Sequence, residues 1–168
     1  MRCFTFAPHN RRGLKAGLKG FTLVEILIVV IIMGILASII IGLIGNTSRD
    51  AGVSSLKDNL RSIRSALQIY LAQHATYPDG TNFVDQMTLY TDASGATSPT
   101  KSPTYPYGPY ILAMPPLPLG TEKGKTTITT STSYSAGFGW RYDATNGQFK
   151  ANCPDSDVDD NGVPYNTY

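Results

Sequence analysis

A chain of 168 residues with 14 basic and 12 acidic side chains has room for one small domain plus an extended segment. With a formal charge of +2 and no strongly basic segment beyond the first twenty residues, no nucleic-acid partner is expected. Even that charge misleads: Arg2, Arg11, Arg12, Lys15 and Lys19 all precede residue 20, and the remaining chain sets nine cations against twelve acids, net −3.

In chain order, residues 1–20 form a basic leader without an acid. Next comes Phe21-Thr22-Leu23-Val24-Glu25, then nineteen residues from Ile26 to Ile44 with no charge and only Ser38 polar. At 1.5 Å per residue this run spans roughly the ~30 Å hydrocarbon core of a bilayer. A domain this small could not surround such a helix, so residues 21–45 are expected to span a membrane. The cations before the run place residues 1–20 in the cytoplasm and the rest outside. A conventional signal peptide is not expected: a cut near Gly34-Ile35-Leu36-Ala37-Ser38 would leave an apolar remnant to Ile44. Lipoprotein processing is not expected either, because Cys3 precedes the apolar run instead of following it. Glu25 stands at the edge of this span, where a carboxylate marks either function or a stray interfacial charge.

Beyond Ile44, Val53, Leu56, Leu60, Ile63, Leu67 and Tyr70 recur at steps of three and four. Arg49, Asp50, Lys57, Asp58, Arg61 and Arg64 fill much of the opposite side. This predicts an amphipathic helix over about 46–76, closed by the turn signal Tyr77-Pro78-Asp79-Gly80. Gly42, Gly45 and Gly52 weaken the helix locally. They read either as a flexible joint or as small residues for close packing.

Residues 77–125 read as loop. The stretch from Tyr105 to Leu119 is dense in proline and tyrosine, and its tyrosines are expected to pack on the amphipathic helix. Strand signals occupy about 126–152; within them Trp140 and Tyr142 share a face, as do Phe149 and Ala151, with Asn146-Gly147 as the turn between and the sheet's apolar face expected to cover the helix. The fold class is therefore α+β: a long N-terminal helix packed on a small antiparallel sheet, ending in an acidic, irregular tail.

That tail holds the second candidate site. Asp157-Val158-Asp159-Asp160-Asn161-Gly162 fits the first half of a calcium loop, and Asp155, Asp157, Asp159 and Asn161 are the candidate ligands. The closing bidentate Glu is missing, and the alternative reading is a solvated acidic tail. No other cofactor is required. Cys3 and Cys153 lie on opposite sides of the span and cannot pair; Cys153 is free or intermolecular. His74 stands alone near the helix end. No catalytic grouping, zinc spacing or phosphate-binding glycine loop occurs, so no enzyme is expected.

The basic leader, Gly20-Phe21-Thr22-Leu23-Val24-Glu25 and the following Gly34-Ile35-Leu36-Ala37 resemble the N-terminus of the type IV pilin and type II secretion pseudopilin family. In the outer part, Tyr77-Pro78, Gly108-Pro109-Tyr110, Pro115 and Gly139-Trp140-Arg141-Tyr142 look most like major pseudopilins. Many members have proline where Gly42 stands, so a proline-broken helix is not carried over. The resemblance implies a pilin-like fold and a precursor cut by prepilin peptidase after Gly20, then methylated at Phe21. The new α-amino group would be a cation at the membrane boundary, available to the Glu25 of a neighbouring copy. It further implies residence in the bacterial inner membrane with the C-terminal domain periplasmic, followed by assembly into a filament. Implied partners are copies of the chain itself, minor pseudopilins, the peptidase, a membrane platform protein and a cytoplasmic assembly ATPase. The alternatives are a type IV pilus subunit for adhesion, motility or DNA uptake, and a membrane-anchored exported binding protein that never polymerises.

Overall fold

The computed structural model describes residues 20–168, with 40–47 described by backbone alone. The chain divides into two units at Leu43/Ile44.

The helix α1 runs Leu23–His74. Its start is set by Thr22, whose Oγ1 accepts the Glu25 N–H at 3.2 Å. This satisfies one of the donors that every helix N-terminus leaves orphaned. In the first unit, the side chains from Leu23 to Ile39 are all exposed. Among the described residues no helix is long and apolar enough to cross a membrane. Residues 40–45, the last part of the expected span, lie outside the side-chain description.

In the second unit, α1 turns Leu56, Leu60, Ile63, Leu67 and Tyr70 into the core, each 2% exposed or less. At the helix end the Ala75 N–H still donates to Leu71 O at 2.8 Å, but Ala75 has a left-handed φ of 60°, which ends the helix.

The stretch expected as loop carries structure of its own. A short helix α2 (Phe83–Thr88) buries Phe83, Gln86 and Met87. It leads into β1 (Tyr90–Thr91), which pairs antiparallel with β2 (Thr97–Ser98). The turn between these strands is closed by Asp92, whose Oδ1 accepts the N–H groups of Ser94 and Ala96, both at 2.9 Å.

The main sheet has three strands in sequence order: β3 (Ile128–Thr129), β4 (Trp140–Asp143) and β5 (Gln148–Ala151). β4 and β5 form the expected antiparallel hairpin, with Tyr142 opposite Phe149. Gly147 turns it at φ 70°; a Cβ there would sit 2.3 Å from the Tyr77 ring. The expected all-antiparallel sheet is corrected by β3, which pairs parallel to β4. Parallel neighbours cannot be joined by a tight turn, and here residues 130–139 make the return excursion. Asn152, fully buried, clasps that excursion. Its Nδ2 donates to Ser135 O and Phe138 O, both at 2.6 Å, and its Oδ1 accepts the Ser135 N–H at 3.1 Å.

Trp140, Tyr142, Phe149 and Ala151 form the buried face of the sheet. Phe83 packs between Tyr142 and Phe149, with ring centroids 4.3 and 5.7 Å away. Each large side chain so buried contributes about 1.5–3 kcal/mol. Their polar atoms are satisfied: Trp140 Nε1–H donates to Pro115 O and the Tyr142 hydroxyl to Pro78 O, both at 2.9 Å. The first bond fastens the proline-rich stretch to the sheet, and the second fastens the turn that follows α1. The acidic tail is also ordered, contrary to its irregular reading. Val158 bridges Pro164, a 3-10 turn covers Tyr165–Thr167, and Tyr165 is buried.

Candidate functional site: the N-terminal end of α1

Gly20 and Phe21 precede the first helical turn, and Phe21 is 76% exposed. Among the described residues, no atom beyond its chain neighbours comes within 4 Å of where a Gly20 Cβ would stand. The described residues therefore set no demand for glycine at that position. Thr22 caps the helix and Glu25 lies in its first turn. A carboxylate there faces the positive end of the helix dipole, worth about 0.3–1 kcal/mol. Thr22-x-x-Glu25 is the spacing of a capping box, a signal legible in the sequence but missed in its reading.

From Phe21 to Ile39, fourteen large apolar side chains are 44–85% exposed. Half-burying each contributes on the order of 1 kcal/mol, so covering this face is worth about 10–20 kcal/mol. That exceeds the ~2.5–3.5 kcal/mol cost of carrying one carboxylate into lipid. The face requires a covering medium, and Glu25 can be carried into it.

The expected packing of loop tyrosines on α1 occurs around His74, which is not alone. Its ring stacks on Tyr70 with centroids 4.0 Å apart and meets Tyr107 edge-on at 5.1 Å. Its Nε2 lies 3.0 Å from Thr91 Oγ1 and 2.9 Å from Tyr110 Oη, and Tyr110 donates onward to Gln73 Oε1 at 2.7 Å. These bonds hold the Gly108-Pro109-Tyr110 loop to the helix end.

Cys153 is free and fully buried, and burial pushes its thiol up to about 12. It is neither a nucleophile nor reachable for an intermolecular disulfide.

Three of the four candidate calcium ligands, Asp155, Asp157 and Asp159, are held by protein donors, while Asn161 gives its backbone N–H to Asp159. Asp155 Oδ1 accepts from Asn166 Nδ2 at 2.8 Å. Asp157 accepts from the Thr121 N–H at 2.6 Å and from Thr121 Oγ1 at 3.1 Å. Asp159 Oδ1 accepts the N–H groups of Asn161 and Val163, both at 2.8 Å, and its Oδ2 accepts from the Tyr168 hydroxyl. The Tyr168 and Val163 bonds hold the Asp159 carboxyl below its ordinary range. Asp160 pairs with Arg49 at 3.1 Å. Among the described residues no three His, Cys, Asp or Glu side chains are grouped to hold a metal ion. A cation would have to displace these protein donors.

The capped helix end, its exposed apolar face and the single carboxylate define a pilin-like structural subunit. Residues 18–41 match the family model of the prokaryotic N-terminal methylation motif. The chain is 30% identical over 105 residues to type II secretion system core protein G of Klebsiella pneumoniae, covering 62% of this chain and 71% of that one. It is 35% identical over 105 residues to the protein of that name from Klebsiella michiganensis, covering 62% and 70%. For that from Pectobacterium carotovorum the identity is 32% over 108 residues, covering 62% and 64%. No solved structure matches the chain significantly. The chain belongs to the type II secretion system core protein G family, whose members are pseudopilins.

Proposed function

We propose that the protein is made as a precursor, cut between Gly20 and Phe21, methylated at Phe21 and stacked from the inner membrane into a pseudopilus that supports protein export. Before assembly, residues 21–45 anchor the subunit in lipid as a single span, with the outer unit in the periplasm. In the filament, the same face is covered by neighbouring helices. The carrying observation is the uncovered apolar face from Phe21 to Ile39 with Glu25 as its one carboxylate. Processing leaves an α-amino cation at Phe21, and a staggered neighbour can bring its Glu25 to it. At 4 Å and an effective dielectric constant near 20, such a pair attracts by about 4 kcal/mol.

Glycine at 20, which no described neighbour requires, fits a demand from outside: the narrow site of a peptidase. Copies of the chain, minor pseudopilins, a platform protein and an assembly ATPase are the partners this reading needs. Calcium at Asp155, Asp157, Asp159 and Asn161 is a separate proposal for the outer unit. A melting temperature unmoved by millimolar calcium or by chelator removes it.

Mass spectrometry of the N-terminus from purified membranes tests the main reading. A chain starting at Phe21 with one added methyl is expected. An intact leader carrying Arg2 to Gly20 overturns it.

A further inference from the structure

The outer unit carries an open groove of about 710 Å³ between α1 and the β4–β5 turn. Four cations line it: Lys57, Arg61 and Arg64 along one stripe of α1, and Lys150 on β5. Arg61 is paired with Asp58 at 3.3 Å. Arg64 donates to Phe149 O and Tyr168 O at 2.9 and 2.7 Å. Lys57 lies 4.5 Å over the Tyr168 ring. Among the described residues, neither Lys57 nor Lys150 meets a carboxylate in an ion pair. The groove is thus positive with unspent charge.

The unit around it is acidic. Residues 44–168 hold nine Lys or Arg and eleven Asp or Glu, and four of those nine cations stand in the groove. The best complement to the groove is therefore the remaining surface of a second copy. Its densest acidic segment is the loop from Asp155 to Asp160, four carboxylates in six residues, with Asp155 and Asp160 exposed. Bonds to Thr121 and Arg49 tie that loop down, so it does not swing into its own groove. Arg49 anchors the loop level with residue 49 of α1, whereas the groove spans residues 57–68. At 1.5 Å per residue, the offset is roughly 12–28 Å along the helix.

We propose that the basic groove docks the Asp155–Asp160 loop of a second copy displaced by that distance along α1. Groove and loop are different surfaces, so the contact repeats from copy to copy without closing, as a filament requires. It rests on the filament reading above and adds a second neighbour. Pairing of Glu25 with Phe21 takes a short axial offset, and the groove takes a longer one.

The test uses the full chain expressed with its peptidase and assembly machinery, reading sheared filament yield. Lys57→Glu with Lys150→Glu, and separately Asp155→Lys with Asp160→Lys, should each lower the yield at least tenfold. Combining all four substitutions should restore it to within about threefold of wild type. Cysteines introduced at Lys150 and Asp160 should cross-link copies in wild-type-like filaments, a readout independent of any folding defect. Undiminished assembly of both charge variants, or no cross-link within filaments that form, refutes the docking and leaves the filament reading intact. An uncut wild-type chain that forms no filament overturns both.

Discussion

Replacing Asn152 by Leu keeps its size and removes its amide. The buried side chain makes three hydrogen bonds, two from Nδ2 to Ser135 O and Phe138 O and one from the Ser135 N–H to Oδ1. All three close the excursion that brings β3 back parallel to β4. After substitution, two carbonyls and one N–H lose their partner beside an apolar side chain. Each orphaned buried group costs about 1–3 kcal/mol, and partial relaxation toward water leaves roughly 3 kcal/mol in total. For a unit of this size, that lowers Tm by roughly 10 °C. Urea unfolding of the processed protein in detergent, followed by Trp140 fluorescence, measures it. A loss below about 1 kcal/mol, with β3 still in place by hydrogen exchange, would show that the clasp does not hold the crossover and refute the reasoning.

Glu25→Ala should leave membrane insertion intact and lower filament yield by two to three decades, the equivalent of about 4 kcal/mol per contact; normal incorporation removes the register role. Asp92 and Asp159 are held below their ordinary range, the first mainly by the Ser94 hydroxyl and the second mainly by the Tyr168 hydroxyl. A depressed carboxyl contributes stability that is present above its unfolded pKa, near 4, and is lost as pH falls through the folded value. The urea midpoint should therefore drop between pH 5 and pH 2, and Asp159→Asn should flatten that drop. Cys153 should resist iodoacetamide at pH 8 in the folded protein and react in 8 M urea; rapid labelling of the native state would contradict its burial.

The sequence by itself determined the features that repeat or stand together along the chain. The cations before residue 20, the uncharged run after Glu25 and the step of three and four from Val53 to Tyr70 are local patterns. Their reading as an anchoring segment and an amphipathic helix follows from one-dimensional spacing, as does the β4–β5 hairpin around Gly147. The parallel β3, helix α2 within the expected loop, the tyrosine-and-histidine latch at Tyr110 and the gathering of Lys150 with Lys57, Arg61 and Arg64 were decided only by tertiary structure. Apart from α2, whose burial and not its local bonds came from the fold, the partners lie from 12 residues apart, as for Ile128 and Trp140, to 93 apart, as for Lys57 and Lys150. Asn152 shows the reason most directly: an asparagine near a strand end reads as a turn former. Whether it clasps Ser135 and Phe138 or faces water depends on the packing that first buries it.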